Sequence, residues 1–377
     1  MGFHASALPD FPWDSLAEAG ARARRHPDGI VDLSVGTPVD PTPDGVREAL
    51  SAASNSPGYP ATIGTPELRT AMVEWFARRR GVTLTEAEVL PTIGSKELVA
   101  LLPSFLELGE GDVVVHPATA YPTYDVGARL AGATPFPSDD DPSSWPESTR
   151  LVWLNSPGNP HGHVLGTDQL RAVVEWARPR GVVVASDECY AELAWAEPWA
   201  SEGVPSLLDP RVTGGDNTGL LVAYSLSKQS NLAGYRAALI GGDAQLIAQI
   251  REVRKHAGML PPGPVQAAMT VALRDDAHVA EQRERYRRRR ERLANAVGQY
   301  GLTLDPRTDA GLYLWAHAER PSMETVNALA ELGILVAPGT FYGAAGNGFV
   351  RIALSATDER IDAAITRLRE AKPGPLA

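Results

Sequence analysis

One cysteine, Cys189, stands in the 377 residues of this chain. An intrachain disulfide is excluded, and a reducing cytoplasm is the expected compartment. Cysteine–histidine spacing of the zinc-binding kind is missing, so no metal is expected. No apolar stretch approaches the length of a membrane span. The opening M-G-F-H-A-S-A-L-P-D lacks the basic and apolar segments of a signal peptide. Positive charge is scarce: 35 Lys and Arg against 46 Asp and Glu leave a net charge of −11. That balance argues against nucleic acid or an anionic membrane as the main partner, but not against a local cationic pocket. No G-x-G-x-x-G follows an early strand, which speaks against a nicotinamide-binding chain.

What is present is a large apolar fraction, 44%, enough for a sizeable core. The apolar runs at 89–92, 112–116, 151–154, 181–185, 220–223 and 237–240 read as strands buried on both faces of a mainly parallel sheet. Helices lie between them. Thr65-Pro66-Glu67 supplies an N-cap and a proline for the first turn of one, and Thr167 is read as the cap of another. Alternation of this kind predicts an α/β doubly wound sheet. Beyond Pro261-Pro262-Gly263-Pro264 comes a charged helix around Arg283–Leu293, read as a solvated face laced with i,i+4 glutamate–arginine pairs. After it, a helix at 323–332 between strands at 311–316 and 348–353 makes a small α+β unit.

Open α/β sheets bind ligands beyond the carboxyl ends of their strands. Five such ends carry chemistry here. Gly94-Ser95-Lys96 opens a helix and offers free N–H groups to an anion. Tyr121 offers an aromatic face. Asn155 to Gly162, N-S-P-G-N-P-H-G, offers amides. Asp187 and Tyr190 in D-E-C-Y offer a carboxylate and a phenol. Last comes S-L-S-K-Q-S-N-L-A-G-Y-R, Ser225 to Arg236. Its hydroxyls and arginine suit a phosphate, and its lysine suits a Schiff base. Pyridoxal phosphate (PLP) carries both the aldehyde and the phosphate. A surface loop with an ordinary lysine is the bland alternative for that run alone. On the cofactor reading, Asp187 keeps the pyridine nitrogen protonated, Tyr190 and Asn159 hold the ring oxygen, Tyr121 stacks on the ring, and Lys228 moves the proton.

These motifs, in this order, resemble those of the class I/II aminotransferases, fold-type I PLP enzymes with a large doubly wound domain and a smaller α+β domain. The resemblance runs from Ser34-Val35-Gly36-Thr37-Pro38 to Phe349-Val350-Arg351-Ile352-Ala353. It implies an arm at 1–35 belonging to the small domain, a PLP-binding domain at 36–262 and a small domain at 263–377. It implies Lys228 as the Schiff-base lysine and Gly94, Ser95, Lys96, Ser225, Ser227 and Arg236 around the phosphate. It implies that Tyr59, in G-Y-P-A-T-I-G, reaches the phosphate of a neighbouring subunit, hence a homodimer. Arg351 would grip the substrate α-carboxylate, helped by the backbone of Gly36 and by Asn159. Small-molecule amino and 2-oxo acids are the implied partners.

Finer stretches, among them T-I-G-S-K-E-L-V and S-D-E-C-Y-A-E-L-A-W, are most similar to the actinobacterial-type N-succinyldiaminopimelate aminotransferases of lysine biosynthesis. Enzymes for aspartate, alanine or aromatic amino acids, or a C–S lyase on the same scaffold, are the alternatives. A substrate with a distal carboxylate calls for a second cation besides Arg351, and Lys96, Arg254 and Lys255 are the candidates. His161 and Lys96 depart from the family pattern, and His161 and His163 are read as surface turn residues.

Overall fold

The structure, a computed structural model, describes residues 8–139 and 141–371. A short strand β1 (Val31–Asp32) precedes the strands of the main sheet: β2 (Val89–Ile93), β3 (Val113–Pro117), β4 (Thr134–Ser138), β5 (Thr149–Asn155), β6 (Val183–Asp187), β7 (Leu220–Ser225) and β8 (Ala237–Gly242). These seven lie in the order β2-β8-β7-β6-β5-β3-β4. All neighbours are parallel except β8, which runs against both β2 and β7. The link between β7 and β8, residues 226–236, holds one helical turn and one 3-10 turn. It is too short for the crossover that a parallel return needs.

Side chains alternate across the sheet, as the two-residue period of a strand requires. Val113, Val115, Val152, Leu154, Leu220 and Val222 face one core. Val114, Leu151, Trp153, Leu221 and Ala223 face the other. Strand β4 carries no apolar run in the sequence, because two of its five residues are proline. It pairs only with β3, at the sheet edge. An edge strand tolerates missing N–H donors that a central one cannot.

The anticipated helix starts form with one change. Thr65 Oγ1 accepts the Leu68 N–H, and Leu68, Ala71, Met72 and Trp75 of the helix Pro66–Trp75 are buried. Thr167 instead opens its helix, and Gly166 is the capping position, its N–H held by Gln169 Oε1 at 3.0 Å.

A second sheet combines β9 (Thr303–Leu304), β10 (Tyr313–His317), β12 (Ala337–Pro338) and β13 (Phe349–Ala353), in the order β12-β13-β10-β9, all antiparallel. Strand β11 (Ile334–Leu335) pairs with β1 in parallel. Leu16, Ala19, Val31 and Leu33 of the N-terminal arm share a core with Leu314, Leu329 and Ile352. The helix Gly263–Arg274 packs on the helices Asp44–Ala52 and Pro66–Trp75 instead, with Ala268 and Met269 in the large core. The proline cluster at 261–264 therefore marks a helix start, while the change of core falls within the next helix, Asp276–Gln299, where Tyr286 and Leu293 join the small unit. Glutamate–arginine pairs do lace that helix: Arg287 reaches Glu284 at 2.7 Å and Glu291 at 2.5 Å. Arg289 is the exception, buried between Asp40 and Asp358 at 2.7 and 2.6 Å.

Candidate active site

Because β2, β3, β5, β6 and β7 share one direction, their carboxyl ends lie along one edge of the sheet. A cavity of about 440 Å³ opens there. It gathers Gly36, Ser95, Lys96, Tyr121, Asn159, Asp187, Tyr190, Ser225, Ser227, Lys228, Arg236 and Arg351. Gly94 stands directly behind Arg236, so closely that a Cβ at 94 would overlap the guanidinium. Tyr59 is the one anticipated residue elsewhere, 99% exposed on this chain.

Lys228 leaves the helical turn after β7, and its Nζ donates to Gly36 O at 2.5 Å. Burial pulls its pKa down, and no carboxylate pairs with it among the described residues. An amine held in this state is readily made nucleophilic. Ser225 Oγ donates to Ser227 Oγ at 2.8 Å and accepts the Ser227 N–H at 3.1 Å. Arg236 enters β8 in the left-handed region, φ 55°, which turns its side chain back over Gly94.

Asp187 ends β6. Its Oδ2 accepts from Tyr124 Oη at 3.0 Å and its Oδ1 from Cys189 N–H at 3.1 Å. Burial raises its pKa, against these two donors. Such a carboxyl suits a cationic partner in the cavity. Asn155 Oδ1 accepts the Asn159 N–H at 2.7 Å, and its amide donates to Asp187 O at 3.0 Å, tying β5 to β6. Asn159 Oδ1 accepts from Arg351 Nη1 at 3.0 Å. Arg351 Nη2 donates to Ser34 O at 2.7 Å, and its Nε is buried without a partner among the described residues. The guanidinium lies 3.9 Å from the ring centre of Tyr313 and 4.9 Å from that of Tyr342.

The three candidate distal cations separate. Lys96 lines the cavity, its Nζ 5.8 Å from the Phe11 ring and 5.9 Å from the Tyr121 ring. Arg254 is fully buried against Glu97 at 2.6 Å, and exposed Lys255 pairs with Glu252 at 3.7 Å; neither lines the cavity. His161 lies in the turn as expected, and both histidines are half-buried; their ring centres are 3.9 Å apart at a tilt of 32°, and His163 Nε2 lies 2.8 Å from Asp305 Oδ2 in the small unit.

Four residues that shape the site carry no role in the sequence analysis, three of them lining the cavity. Tyr124 holds Asp187, and its spacing of three from Tyr121 on a helix start was a usable signal. Phe11 and Trp13 come from the arm, and Tyr313 from the small sheet. Nothing local marks those three.

Residues 28–368 match the family described as aminotransferase class I and II. The chain belongs to the class I and II aminotransferases. A probable aminotransferase of Mycobacterium tuberculosis is 58% identical over 364 residues, spanning 96% of this chain and 86% of that protein. The 4-dedimethylamino-4-oxo-anhydrotetracycline transaminase OxyQ of Streptomyces rimosus is 53% identical over 361 residues, spanning 96% and 99%. Among solved structures, a probable N-succinyldiaminopimelate aminotransferase of Thermus thermophilus superposes with a TM-score of 0.85 at 29% identity, covering 96% of this chain and 100% of that one.

The aminotransferase has the fold-type I architecture expected of the family, and the family is PLP-dependent. The cavity suits that group chemically. It holds a buried unpaired amine, a buried carboxyl, and a glycine–serine–arginine cradle from which a Cβ at 94 is excluded. Among the described residues no helix is long and apolar enough to cross a membrane.

Proposed function

We propose that this aminotransferase exchanges an amino group between 2-oxoglutarate and an amino acid whose side chain ends in a carboxylate, N-succinyl-diaminopimelate being the leading donor. One observation carries the substrate class: Lys96 enters the cavity beside two aromatic rings, with no carboxylate paired to it among the described residues. With Arg351 it provides one cation for the α-carboxylate and one for a distal carboxylate of the substrate.

When bound, PLP supplies the aldehyde and the electron-withdrawing ring. Lys228 is the amine that anchors it and then carries the substrate's Cα proton as base and acid. Asp187, kept in place by Tyr124, keeps the pyridine nitrogen protonated. Asn159 and Tyr190 hold the ring oxygen, and Tyr121 covers the ring. Gly94, Ser95, Ser225, Ser227 and Arg236 hold the phosphate. Lys96, which the sequence grouped with the phosphate, is assigned here to the distal end of the substrate. Arg351 takes the α-carboxylate, its plane set by Asn159, Ser34 and Tyr313, with the Gly36 backbone beside it. Exposure of Tyr59, together with Val35 and Val39, supports a homodimer in which Tyr59 reaches the partner's phosphate. A cytoplasmic location is in keeping with the single thiol.

A second reading has its own support. The 53% identity to OxyQ and the aromatic wall of Phe11, Trp13 and Tyr121 favour a bulky ring ketone as amino acceptor. One experiment decides. Each amino acid, N-succinyl-diaminopimelate, glutamate, aspartate, alanine and the aromatics, is mixed in turn with the PLP-loaded protein, and the visible absorption band is followed. Bleaching by N-succinyl-diaminopimelate and glutamate is expected. Bleaching only by aspartate, alanine or aromatics removes the donor assignment and keeps the class. No bleaching by any amino acid removes the amino-transfer reading, and pyruvate release without an acceptor would indicate a lyase.

A further inference from the structure

Tyr313 opens β10 in the small sheet, yet its side chain reaches the cavity at the end of the large one. It is 4% exposed. Its Oη lies 3.1 Å from Tyr190 Oη, the only hydrogen bond either phenol makes among the described residues. Gly36 pins it from the other side: a Cβ there would overlap the Tyr313 hydroxyl. The centre of the ring lies 3.9 Å from the Arg351 guanidinium, and Lys228 is held next door through Gly36 O.

A pair of facing phenols shares one proton in their hydrogen bond and leaves the other free. The order is set by what Tyr190 meets. An ionised ring oxygen can only accept, so Tyr190 directs its own proton there and its oxygen becomes the acceptor for Tyr313. A phenol that accepts a hydrogen bond is polarised into a stronger donor. The surroundings agree with that order. Burial pushes both phenols up, but for Tyr313 the Arg351 and Lys228 cations and the Tyr190 bond outweigh it, so it falls below the ordinary phenol value. Tyr190 is pushed well up, first by burial and then by Tyr313. Among the described residues, the titratable groups facing Tyr313 are Tyr190, Lys228, Cys189 and Tyr121 from the large unit and Arg351, Tyr342 and Tyr286 from the small one.

We propose that Tyr313 is a positioning residue that donates its hydroxyl proton to Tyr190 Oη and so strengthens the hold of Tyr190 on the anionic ring oxygen of the cofactor. The inference rests on the assignment of Tyr190 and Lys228 above. A donor on the ring oxygen draws off negative charge. The proton that this oxygen shares with the Lys228 nitrogen is then lost at lower pH.

The test is a spectrophotometric pH titration of the visible band in the PLP-loaded enzyme. Tyr313→Phe keeps the ring under Arg351 and removes only the hydroxyl. It should raise the titration midpoint by about half a pH unit to one unit. Tyr190→Phe should raise it further, and adding Tyr313→Phe to Tyr190→Phe should change nothing more. An unchanged midpoint in Tyr313→Phe overturns the inference alone. So does an equal shift in the native and Tyr190→Phe backgrounds, which would mean independent contacts. A change in amino-acid KM without a midpoint shift would mean that Tyr313 serves Arg351 only, and overturns it too. A native protein that takes up PLP without a titrating visible band overturns the Lys228 assignment along with it.

Discussion

Arg80 Nη2 lies 2.7 Å from Glu188 Oε2, with side-chain exposures of 3% and 0%. Glu188 also accepts from Ser206 Oγ at 3.1 Å and Leu207 N–H at 2.8 Å. The pair ties the end of the helix that carries Arg80 to the turn after β6, one residue from Asp187. Arg80→Met leaves a buried carboxylate unpaired and should cost about 3–5 kcal/mol. Arg80→Met/Glu188→Met should cost less than Arg80→Met alone, because no orphan charge remains. Urea unfolding of the three proteins checks this, and an equal or larger loss in the double variant would contradict it.

Lys228→Ala removes the buried amine at the centre of the cavity. Turnover should fall by about a thousandfold or more, with far-ultraviolet circular dichroism unchanged. A variant with near-native turnover would exclude Lys228 as the essential amine.

Gly94→Ala attacks the phosphate cradle. Gly94 has φ +75° and ψ 158°, a conformation open essentially to glycine alone, and the added Cβ meets Arg236. Backbone strain of about 1–3 kcal/mol and a displaced Arg236 should weaken PLP retention by about tenfold or more. Cofactor release on dialysis, followed by absorbance, is the measurement. Retention equal to native would show that Arg236 can move aside freely.

Lys96→Met should lower kcat/KM for donors with a distal carboxylate by about ten- to a hundredfold, the worth of a charge-assisted hydrogen bond of about 1.5–3 kcal/mol. Alanine as donor should be nearly unaffected. A uniform loss for both donors would return Lys96 to the cofactor phosphate.

His161 is pulled down from 6.5 to about 3, first by burial and then by its neighbour His163. Below 6.5 the unfolded chain binds a proton that the folded chain refuses. Stability therefore falls as pH drops from 6.5 towards 3, by about 1.4 kcal/mol per unit for a fully refused proton. His161→Gln should flatten the decline between pH 7 and pH 5, recovering about 2 kcal/mol at the lower value. Thermal or urea unfolding at both values is the measurement. An unchanged slope would assign the decline to other groups.

Much of the large unit was legible in order. The apolar runs of β2, β3 and β5 to β8 are long enough to be read singly. The loops leaving the parallel strands gather on one edge because those strands share a direction. Strand β4 was not legible, since its prolines erase the pattern that marks a strand, and only its edge position makes them tolerable. The proline cluster at 261–264 suggested a domain boundary, but a proline marks a local break in the chain and says nothing about which core the next helix joins. Arg254 and Lys96 looked equivalent as cations. Glu97, one residue from Lys96, takes Arg254 into a buried pair and leaves Lys96 facing the cavity.

The amino-acid sequence alone determined the fold class, the family and the set of cavity groups borne on strand ends, because backbone periodicity and short motifs are local properties. The tertiary structure decided what stands beside them. Tyr313, Phe11 and Trp13 reach the cavity from other parts of the chain, and His163 meets Asp305 across the two units. Those contacts depend on how separate elements pack and on where each side chain points. The surroundings of Lys96 belong to this second kind: the Phe11 ring reaches it only once the arm has packed against the small unit.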